Sequence, residues 1–439
     1  MPPTIAIVGA GPAGLTLARL LQLAPVPIPF TLYEHDASAT SRFHQGGTLD
    51  LHPSGGLAAL RAMHLEDAAA PFLRYEGEEL VIADLNACEL VHIKEAPKVG
   101  GSRNAAPEID RERLKHLLLE ALGVANVRWG KHLKRVDAAA GKLEFADGSV
   151  EGPFDLVVGA DGAWSKVRQA VSEVRPVYSG ICGFEGHIER PGERSPALDA
   201  MVGRGSYFAF SGGRSAMAQR MGDDSIKVGT WLRRNQEFVD ELSPGTGIDD
   251  EEDLTAKLLH EYQDWAPEIR EWLHVCSFTR KWVLWELPVG TTWEHRTGYT
   301  LVGDAAHLCT PFAGLGVNAA MADTMELAER IIKAVQEDTS LDEAVELYEK
   351  GMFPRARKVQ EDTMRNKVGG FADDAPLNFM ASMLGVVGEE VGWPIDKGVL
   401  YWIPITKMGY AIFWVKTRIH VVWRWTKRLF RAEKRIELR

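Results

Sequence analysis

A glycine-rich turn near the start of the chain has the residue types and spacing that dinucleotide binding requires. Gly9, Gly11 and Gly14 follow the apolar run Thr4–Val8 and precede an apolar, helix-like segment. In such a turn the first glycine permits a tight bend, the second lets a pyrophosphate approach the backbone, and the third lets helix and strand pack closely. Glu34 ends the next apolar run, where a carboxylate can accept hydrogen bonds from ribose hydroxyls. We therefore predict that a dinucleotide binds at this turn.

Two later segments place acidic residues and glycines in the same strand-to-helix setting. The first runs from an apolar strand at 155–159 through Asp161 and Gly162 to Ser165 and Arg168. The second, at 302–323, has an acid at a strand end, then a proline, and then two glycines before a helical pattern. Its residues of interest are Asp304, His307, Pro311, Phe312, Gly314, Gly316, Val317 and Asn318.

With Arg111 in the stretch IDRERL, these motifs resemble those of the group A flavoprotein monooxygenases, the p-hydroxybenzoate-hydroxylase-like family. The resemblance spans about residues 4–370. It implies FAD as the cofactor, held along its length by segments that are far apart in the sequence. By this resemblance, Asp304 binds the ribityl chain and Arg111 reaches the pyrophosphate or ribityl region. His307 is expected to be a packing residue of its motif and not a base.

The same resemblance implies that the loop from Pro311 to Asn318 borders the flavin ring. Gly314 and Gly316 would let the backbone pass close to the ring. The helix that begins near Val317 would point its N–H groups, with that of Asn318, at the N1/C2 carbonyl edge of the flavin. The positive end of that helix dipole would stabilise the anionic reduced flavin.

The string GGTLDLH at 46–52 is similar to one in the tetracycline-inactivating flavin monooxygenases. In that subfamily the aspartate, here Asp50, contacts FAD, and an upstream arginine, here Arg42, is linked to flavin or NADPH contact. The subfamily's substrate-facing glutamine falls at Glu185, and its substrate-binding arginine falls near Gly205. We therefore expect Glu185 and Phe312 to contact a substrate that is not a tetracycline.

The implied activity is that of an FAD-dependent monooxygenase that hydroxylates an aromatic or polycyclic small molecule with O2. In this family NADPH reduces the flavin, oxygen forms a flavin C4a-hydroperoxide, and no catalytic side chain is needed for the central step. No second glycine-rich turn follows a strand, so NADPH is expected to dock transiently. Two alternatives stay open: a flavin-dependent reductase of a lipid-like alkene, and a non-catalytic escort protein with a flavin fold.

Composition narrows the class of protein further. A net charge of −11 over 439 residues argues against nucleic-acid binding. The four cysteines are scattered, without the close spacing of a metal site or a disulfide framework. We therefore expect a cytoplasmic protein that binds no metal.

The alternation of strands and helices predicts an α/β fold with a Rossmann-like FAD-binding domain and a parallel sheet. Short alternating runs from about 177 to 233 predict an antiparallel sheet in an inserted substrate domain. The predicted FAD-binding domain comprises 1–75, 105–176 and 285–375, and the substrate domain comprises 76–104 and 177–284. Residues 376–439 form a predicted C-terminal helical segment.

That C-terminal segment differs from the rest of the chain in charge. From Lys397 to Arg439 there are 11 Lys and Arg residues against two acids, which leaves the segment with a charge of +9. Apolar residues at helical spacing lie beside a basic stripe, the pattern of an amphipathic helix. We predict that this helix packs on the acidic body of the protein. The alternative is a peripheral contact with a membrane surface.

Overall fold

Strands make up two main sheets in the computed structural model, which describes residues 2–41, 46–93, 106–242, 248 and 250–380. In chain order the strands are β1 (Ile5–Val8), β2 (Phe30–Tyr33), β3 (Thr48–Asp50), β4 (Leu80–Ala83), β5 (Glu89–Ile93), β6 (Glu108–Asp110), β7 (Val127–Arg128), β8 (Leu133–Asp137), β9 (Lys142–Phe145), β10 (Val150–Glu151), β11 (Leu156–Gly159), β12 (Val177–Ile188), β13 (Ser206–Ser211), β14 (Arg214–Arg220), β15 (Ile226–Arg233), β16 (Ser277–Glu286) and β17 (Tyr299–Leu301).

Helices connect and cover these strands. They are α1 (Pro12–Gln22), α2 (Gly56–Ala62), α3 (Glu66–Ala69), α4 (Arg111–Leu122), α5 (Arg168–Val171), α6 (Pro191–Arg194), α7 (Pro196–Val202), α8 (Gln236–Leu242), α9 (Glu251–Glu261), α10 (Pro267–Val275), α11 (Asp304–His307), α12 (Gly316–Glu337) and α13 (Leu341–Gly370). Short 3-10 turns occur at Ala70–Phe72, Glu76–Glu78, Val124–Asn126 and Pro311–Ala313.

The first sheet is parallel, with the strand order β17-β11-β1-β2-β7. Its register pairs Ile5 with Leu156 on one side and with Phe30 on the other. The central strands β1 and β11 are buried throughout, as expected of parallel strands covered on both faces. Apolar residues of this sheet and of α1, α4, α12 and α13 form the larger core.

The second sheet has seven strands in the order β16-β12-β15-β14-β13-β4-β5. All neighbours are antiparallel except β13 and β4. One face packs on α7, α9 and α10 through a second apolar core. The other face, called the open face below, carries two smaller apolar clusters that include residues that follow α13. The sheet therefore has one closed face, which helices cover, and one open face.

A short antiparallel ribbon of β3 and β6 stands between the two main sheets. Thr48 pairs with Asp110 and Asp50 pairs with Glu108. Separately, β8, β9 and β10 form a three-stranded meander. The ribbon places Asp50 and Glu108 side by side.

Most of the elements predicted from the sequence are confirmed. The helix at Arg111–Leu122 has the predicted bounds. The first helix begins at Pro12 and not at Leu15, because proline, which lacks an N–H and has a fixed φ, suits the first helical turn. The antiparallel sheet is wider than the segment 177–233, since β4, β5 and β16 also join it. Among the described helices, none combines the length and apolar character needed to cross a membrane. The predicted C-terminal helical segment, from residue 381 onwards, lies outside the described residues.

Candidate cofactor and substrate site

The glycine-rich turn joins β1 to α1 in a backbone arrangement that needs glycine. Gly9 has a φ of +106°, and a Cβ there would lie 2.3 Å from the carbonyl oxygen of Ala160. A Cβ at Gly14 would lie 1.9 Å from the carbonyl oxygen of Gly9, so this glycine lets α1 pack against the turn. A Cβ at Gly11 would have no neighbour within 4 Å. The first and third glycines therefore serve packing, whereas the second faces open space.

Glu34 lies directly after β2, against this turn. Its Oε2 accepts a hydrogen bond of 2.6 Å from the backbone N–H of Ala10, and its Oε1 accepts one from Asp36 N at 2.9 Å. The residue is 5% exposed. Both main-chain contacts fix the carboxylate beside the glycine turn, where the sequence predicted a ribose contact.

Asp304 begins α11 at the carboxyl end of β17. It is exposed, although its neighbours Gly303 and Ala305 are buried. A Cβ at Gly303 would lie 3.0 Å from Cβ of Ala320 and 3.5 Å from Cβ of Ala13. Asp304 therefore follows a point where the first turns of α1 and α12 approach each other.

Arg168 holds the segment that carries Asp304. It is 3% exposed, and its Nη1 donates to the carbonyl oxygen of Ala305 at 2.9 Å. Its own backbone N–H donates to Ser165 Oγ at 2.9 Å, and that hydroxyl donates to Asp161 Oδ1 at 2.5 Å. The segment from Asp161 to Arg168 therefore positions the segment that contains Asp304.

His307 is a packed residue, as its motif suggested. It is 2% exposed, and its Nε2 lies 2.5 Å from Asp323 Oδ2. Asp323 also accepts hydrogen bonds from Gly303 N and from Arg355 Nη2. Burial disfavours the imidazolium, but the Asp323 carboxylate outweighs it and raises the pKa of His307. The pair ties α11 to α12.

Asn318, in the first turn of α12, joins this helix to β3 and to the residues that follow β3. Asn318 Oδ1 accepts hydrogen bonds from His52 N at 2.8 Å and from Gly56 N at 3.0 Å, and its Nδ2 donates to the carbonyl oxygen of Asp50 at 2.7 Å. Asp50 Oδ2 lies 3.0 Å from the Cβ position of Gly314, which has a φ of +66°. Asp50 and the loop from Pro311 to Asn318, predicted from separate motifs, are therefore in contact.

The start of α12 faces open space. No side chain caps this helix, and a Cβ at Gly316 would have no neighbour within 4 Å. The first N–H groups of a helix have no intrahelical acceptor, and the helix dipole makes this end attractive to negative charge. Val317 is half-buried, next to these groups.

Of the two predicted arginines, one is described. Arg111 begins α4, and its Cδ lies 2.6 Å from the Cβ position of Gly46, so this side chain lies along the start of the β3 strand. Its backbone N–H donates to the carbonyl oxygen of Gly47 at 3.1 Å. Arg42 lies outside the described residues.

Glu108, which pairs with Asp50 in the ribbon, is a buried acid that sequence reasoning missed. It is 2% exposed. Its Oε1 accepts from Gln219 Nε2 at 3.1 Å and its Oε2 accepts from Arg74 Nη2 at 3.1 Å. Burial, followed by the charge of Asp50, raises the pKa of Glu108 to about 7, although Arg74 opposes the change. The contact with Gln219 links the ribbon to β14 of the second sheet.

Phe312 belongs to an aromatic cluster formed by Trp231, Phe312 and Phe371. Its ring lies 6.1 Å from that of Trp231 and 5.0 Å from that of Phe371, both edge to face. Trp231 comes from β15, and Ile181 of β12 packs in the same place. The cluster therefore joins the open face of the second sheet to the loop before α12.

Glu185 lies on the same open face but is already engaged. Its Oε1 lies 2.7 Å from Lys227 Nζ, and its Oε2 accepts a hydrogen bond of 2.5 Å from Trp282 Nε1. Lys227 Nζ lies 3.4 Å from the Cβ position of Gly47, so it approaches the strand that leads to Asp50. The structure thus places Glu185 on the sheet face turned towards the predicted cofactor loop, and Phe312 within that loop against the same face.

The arrangement of these groups fits an extended dinucleotide such as FAD. Gly11 and Gly316 have room where a side chain would otherwise stand, and Asp304 is exposed among buried neighbours. The glycine turn, Glu34 and Asp304 all follow the carboxyl ends of strands in one parallel sheet, which is where such sheets bind ligands. A cavity of about 260 Å³ lined by Asp155 and others lies at the opposite, amino ends of β11 and β17, away from this site.

Sequence patterns could not reveal several of these residues. Asn318 was predicted for its backbone, yet its side chain makes the longer-range contacts. Trp231, Lys227 and Glu108 lie in strands of ordinary alternating character, and no local spacing marks them. The pair Asp50 and Glu108 becomes visible only when the ribbon register is known.

Comparisons with known proteins agree with the geometry. A family model described as FAD binding domain matches residues 3–185 and 284–363. Monooxygenase penA of Penicillium thymicola is 32% identical to this chain in an alignment of 432 positions that covers 84% of this chain and 96% of that protein.

Solved structures share the fold. The structure of Klebsiella pneumoniae HpxO complexed with FAD and uric acid superimposes with a TM-score of 0.70 at 19% identity, covering 92% of this chain and 96% of that one. The tetracycline destructase Tet(51) superimposes with a TM-score of 0.65 at 18% identity, covering 89% of this chain and 96% of that one. The likeness to flavin monooxygenases predicted from the motifs is thereby confirmed.

Proposed function

The chain belongs to the family with this FAD binding domain and is an FAD-dependent monooxygenase, and we propose that it hydroxylates an aromatic or polycyclic small molecule. NADPH would be the reductant and O2 the oxidant. One observation supports an aromatic substrate. In the aromatic cluster, Trp231 and Phe371 pack against Phe312. Phe312 lies two residues before Gly314, whose Cβ position is 3.0 Å from Asp50 Oδ2.

An aromatic substrate suits this place for physical reasons. Aromatic side chains attract flat ring compounds through apolar burial and through edge-to-face packing. The HpxO structure was solved with uric acid, a flat heteroaromatic compound, in a protein of the same fold. The engaged carboxylate of Glu185 and the ammonium of Lys227 would add a polar border at one side of the cluster.

The residues of this chain would bind the cofactor, orient the substrate and shield the reacting groups from water. Gly11 and the start of α1 would receive the pyrophosphate, Glu34 the adenosine ribose, and Asp304 the ribityl chain. The uncapped start of α12 would hold the edge of the flavin ring that gains negative charge. When bound, FAD supplies the activation of oxygen that side chains cannot provide, and the apolar cluster excludes water from the reacting groups.

The first test concerns the cofactor. We expect the purified protein to show flavin absorption bands and to release intact FAD on denaturation. Asp304→Ala should lose FAD on gel filtration, because the ribityl hydroxyls lose their acceptor, while far-ultraviolet circular dichroism stays unchanged. Glu337→Ala, which alters an exposed acid at the far end of α12, is the control and should retain FAD. A protein that shows no flavin bands after incubation with FAD would contradict the assignment.

The second test concerns the reaction. A panel of aromatic and polyketide compounds is screened for acceleration of NADPH oxidation, and products are measured by mass spectrometry. We expect a product heavier by one oxygen atom that takes its label from ¹⁸O2. Label that comes only from water, or turnover that proceeds equally without oxygen, would favour the reductase of a lipid-like alkene.

The proposal also covers where the protein acts. We place it in the cytoplasm, with the basic segment after Lys397 packed on the protein body, and with membrane contact as the alternative. Fractionation without detergent distinguishes the two. The full chain should remain in the supernatant, and a full chain that pellets with membranes, when a truncation before Leu400 does not, would show that the segment is an interfacial anchor.

A further inference from the structure

Trp231 lies on the open face of the seven-stranded sheet, within the aromatic cluster. It is 6% exposed. In the strand register Trp231 stands opposite Gly183 and beside Gly229, which in turn stands opposite Glu185. The indole of Trp231 therefore lies next to Glu185 on the same face of the sheet. Glu185 is the residue for which the resemblance predicted a substrate contact.

Two glycines make room for this indole. A Cβ at Gly229 would lie 2.8 Å from Trp231 Nε1, and a Cβ at Gly183 would lie 2.9 Å from Trp231 Cε3. Any other residue at Gly229 would push the ring away from the sheet, and at Gly183 it would also collide with the carbonyl oxygen of Thr230, 1.9 Å from the Cβ position. The ring therefore lies across the sheet surface, and its N–H edge is directed along β15 towards Gly229.

The N–H of Trp231 has no acceptor among the residues that the structure describes. By contrast, the N–H groups of Trp282 and Trp293 donate to Glu185 and Glu349. Trp265 and Trp272 also lack an acceptor, but their nitrogens are sealed inside the core on the closed face. The nitrogen of Trp231 is not among the sealed atoms, so this donor opens onto accessible space.

The Trp231 N–H needs a hydrogen-bond acceptor that does not belong to the described residues. A largely buried N–H that stays unpaired is unfavourable, so water or a ligand must satisfy it. The donor is one ring away from Phe312 and the loop before α12. A carbonyl oxygen is the simplest match, because it accepts without bringing a hydrogen atom that needs its own acceptor.

We propose that the Trp231 N–H orients the substrate, and that the substrate is a flat aromatic compound with a ring carbonyl. The proposal rests on the proposed function, because it assigns the substrate class of the same site. Apolar contact with Phe312, which packs on the buried ring of Phe371, supplies affinity for the rings. The indole N–H selects, among flat compounds, those that present an acceptor oxygen towards β15.

The test uses the full-length holoenzyme and two bicyclic probes of similar size. Coumarin has a ring carbonyl and naphthalene has none. Dissociation constants are measured from the change in flavin absorption and from tryptophan fluorescence. We expect the wild type to bind coumarin about tenfold more tightly than naphthalene, the effect of one buried hydrogen bond.

Trp231→Phe keeps an aromatic ring and removes the donor. It should reduce the preference for coumarin to about twofold or less while leaving the affinity for naphthalene unchanged. Trp265→Phe makes the same chemical change on the closed face of the sheet and should keep the preference. Equal preference in the wild type and in Trp231→Phe would overturn the inference, and so would a wild type that binds neither probe or does not discriminate between them.

The flavin content of the same preparations separates this inference from the proposed function. Loss of the preference in Trp231→Phe with full flavin bands supports the inference. An unchanged preference with full flavin bands overturns the inference and leaves the FAD assignment intact. A wild type without flavin would instead remove the proposed function, and the fluorescence titration would still report the probes.

Discussion

Replacing Glu108 by glutamine should make the stability of this protein less sensitive to pH. The carboxyl is 2% exposed and faces Asp50 across the ribbon, with Arg74 and Gln219 as its hydrogen-bond donors. Burial and the Asp50 charge raise its pKa from 4.5 to about 7. Glutamine has nearly the same shape, keeps an acceptor oxygen and cannot ionise, so it isolates the effect of the charge.

The size and sign of the effect follow from linkage. Each pKa unit corresponds to about 1.4 kcal/mol, so the difference between 4.5 and about 7 corresponds to about 3 kcal/mol. Because the folded protein holds this proton more tightly than the unfolded chain, the folded state binds more protons between these values. The free energy of unfolding therefore falls as the pH rises from 4.5 to about 7, and the full cost is present above that.

Urea unfolding of the FAD-free protein at about pH 5 and about pH 8 provides the assay. Relative to the wild type, Glu108→Gln should gain about 2.5 kcal/mol between the two conditions, since a small part of the change is already complete at about pH 5, whatever its constant loss from the weaker contact with Arg74. Glu337→Gln, an exposed change at the end of α12, is the control and should follow the wild type. A variant that loses stability relative to the wild type as the pH rises would refute the reasoning, since Glu108 would then be a stabilising ion-pair partner.

Further predictions concern the glycine turn, the loop before α12 and substrate choice. Gly9→Ala should destabilise the fold by more than about 1–2 kcal/mol through its positive φ, whereas Gly11→Ala should leave thermal stability intact and weaken FAD retention. The two variants are each other's controls. Asn318→Ala should cost about 1–3 kcal/mol for each buried N–H left unpaired, measured by urea unfolding, and should lower flavin content. Tetracycline should be a poor substrate, because Glu185 is held by Lys227. Rapid conversion measured by mass spectrometry would contradict this.

The parts of the site that were predictable from sequence are local in the chain. Gly9, Gly11 and Gly14 form a turn whose requirements are satisfied within a few residues, and their geometry is as expected. Asp304 was predictable because it directly follows a buried strand and precedes a glycine loop. The helix Arg111–Leu122 was predictable because its apolar spacing is regular over three turns.

The remaining parts depend on contacts between distant segments. Asn318 meets His52 and Gly56 across more than two hundred and fifty residues, and neither partner has a sequence signal for that contact. Trp231 is distinctive only because Gly183 stands opposite and Gly229 lies beside it, which requires the register of two strands. These contacts depend on how distant segments pack together, and no sequence motif predicts them.

Glu108 and Trp231 together suggest why unfavourable groups persist in this region. A buried acid with a raised pKa lowers stability, and the largely buried indole of Trp231 carries a donor that only water or a ligand can satisfy. Both lie where the second sheet meets the segments around Asp50 and Phe312, through Gln219 in one case and the aromatic cluster in the other. Violations of local packing rules that gather at one interface are expected at functional sites. On this reasoning the junction between the ribbon and the open sheet face, more than either sheet alone, is where substrate binding would be communicated to the cofactor.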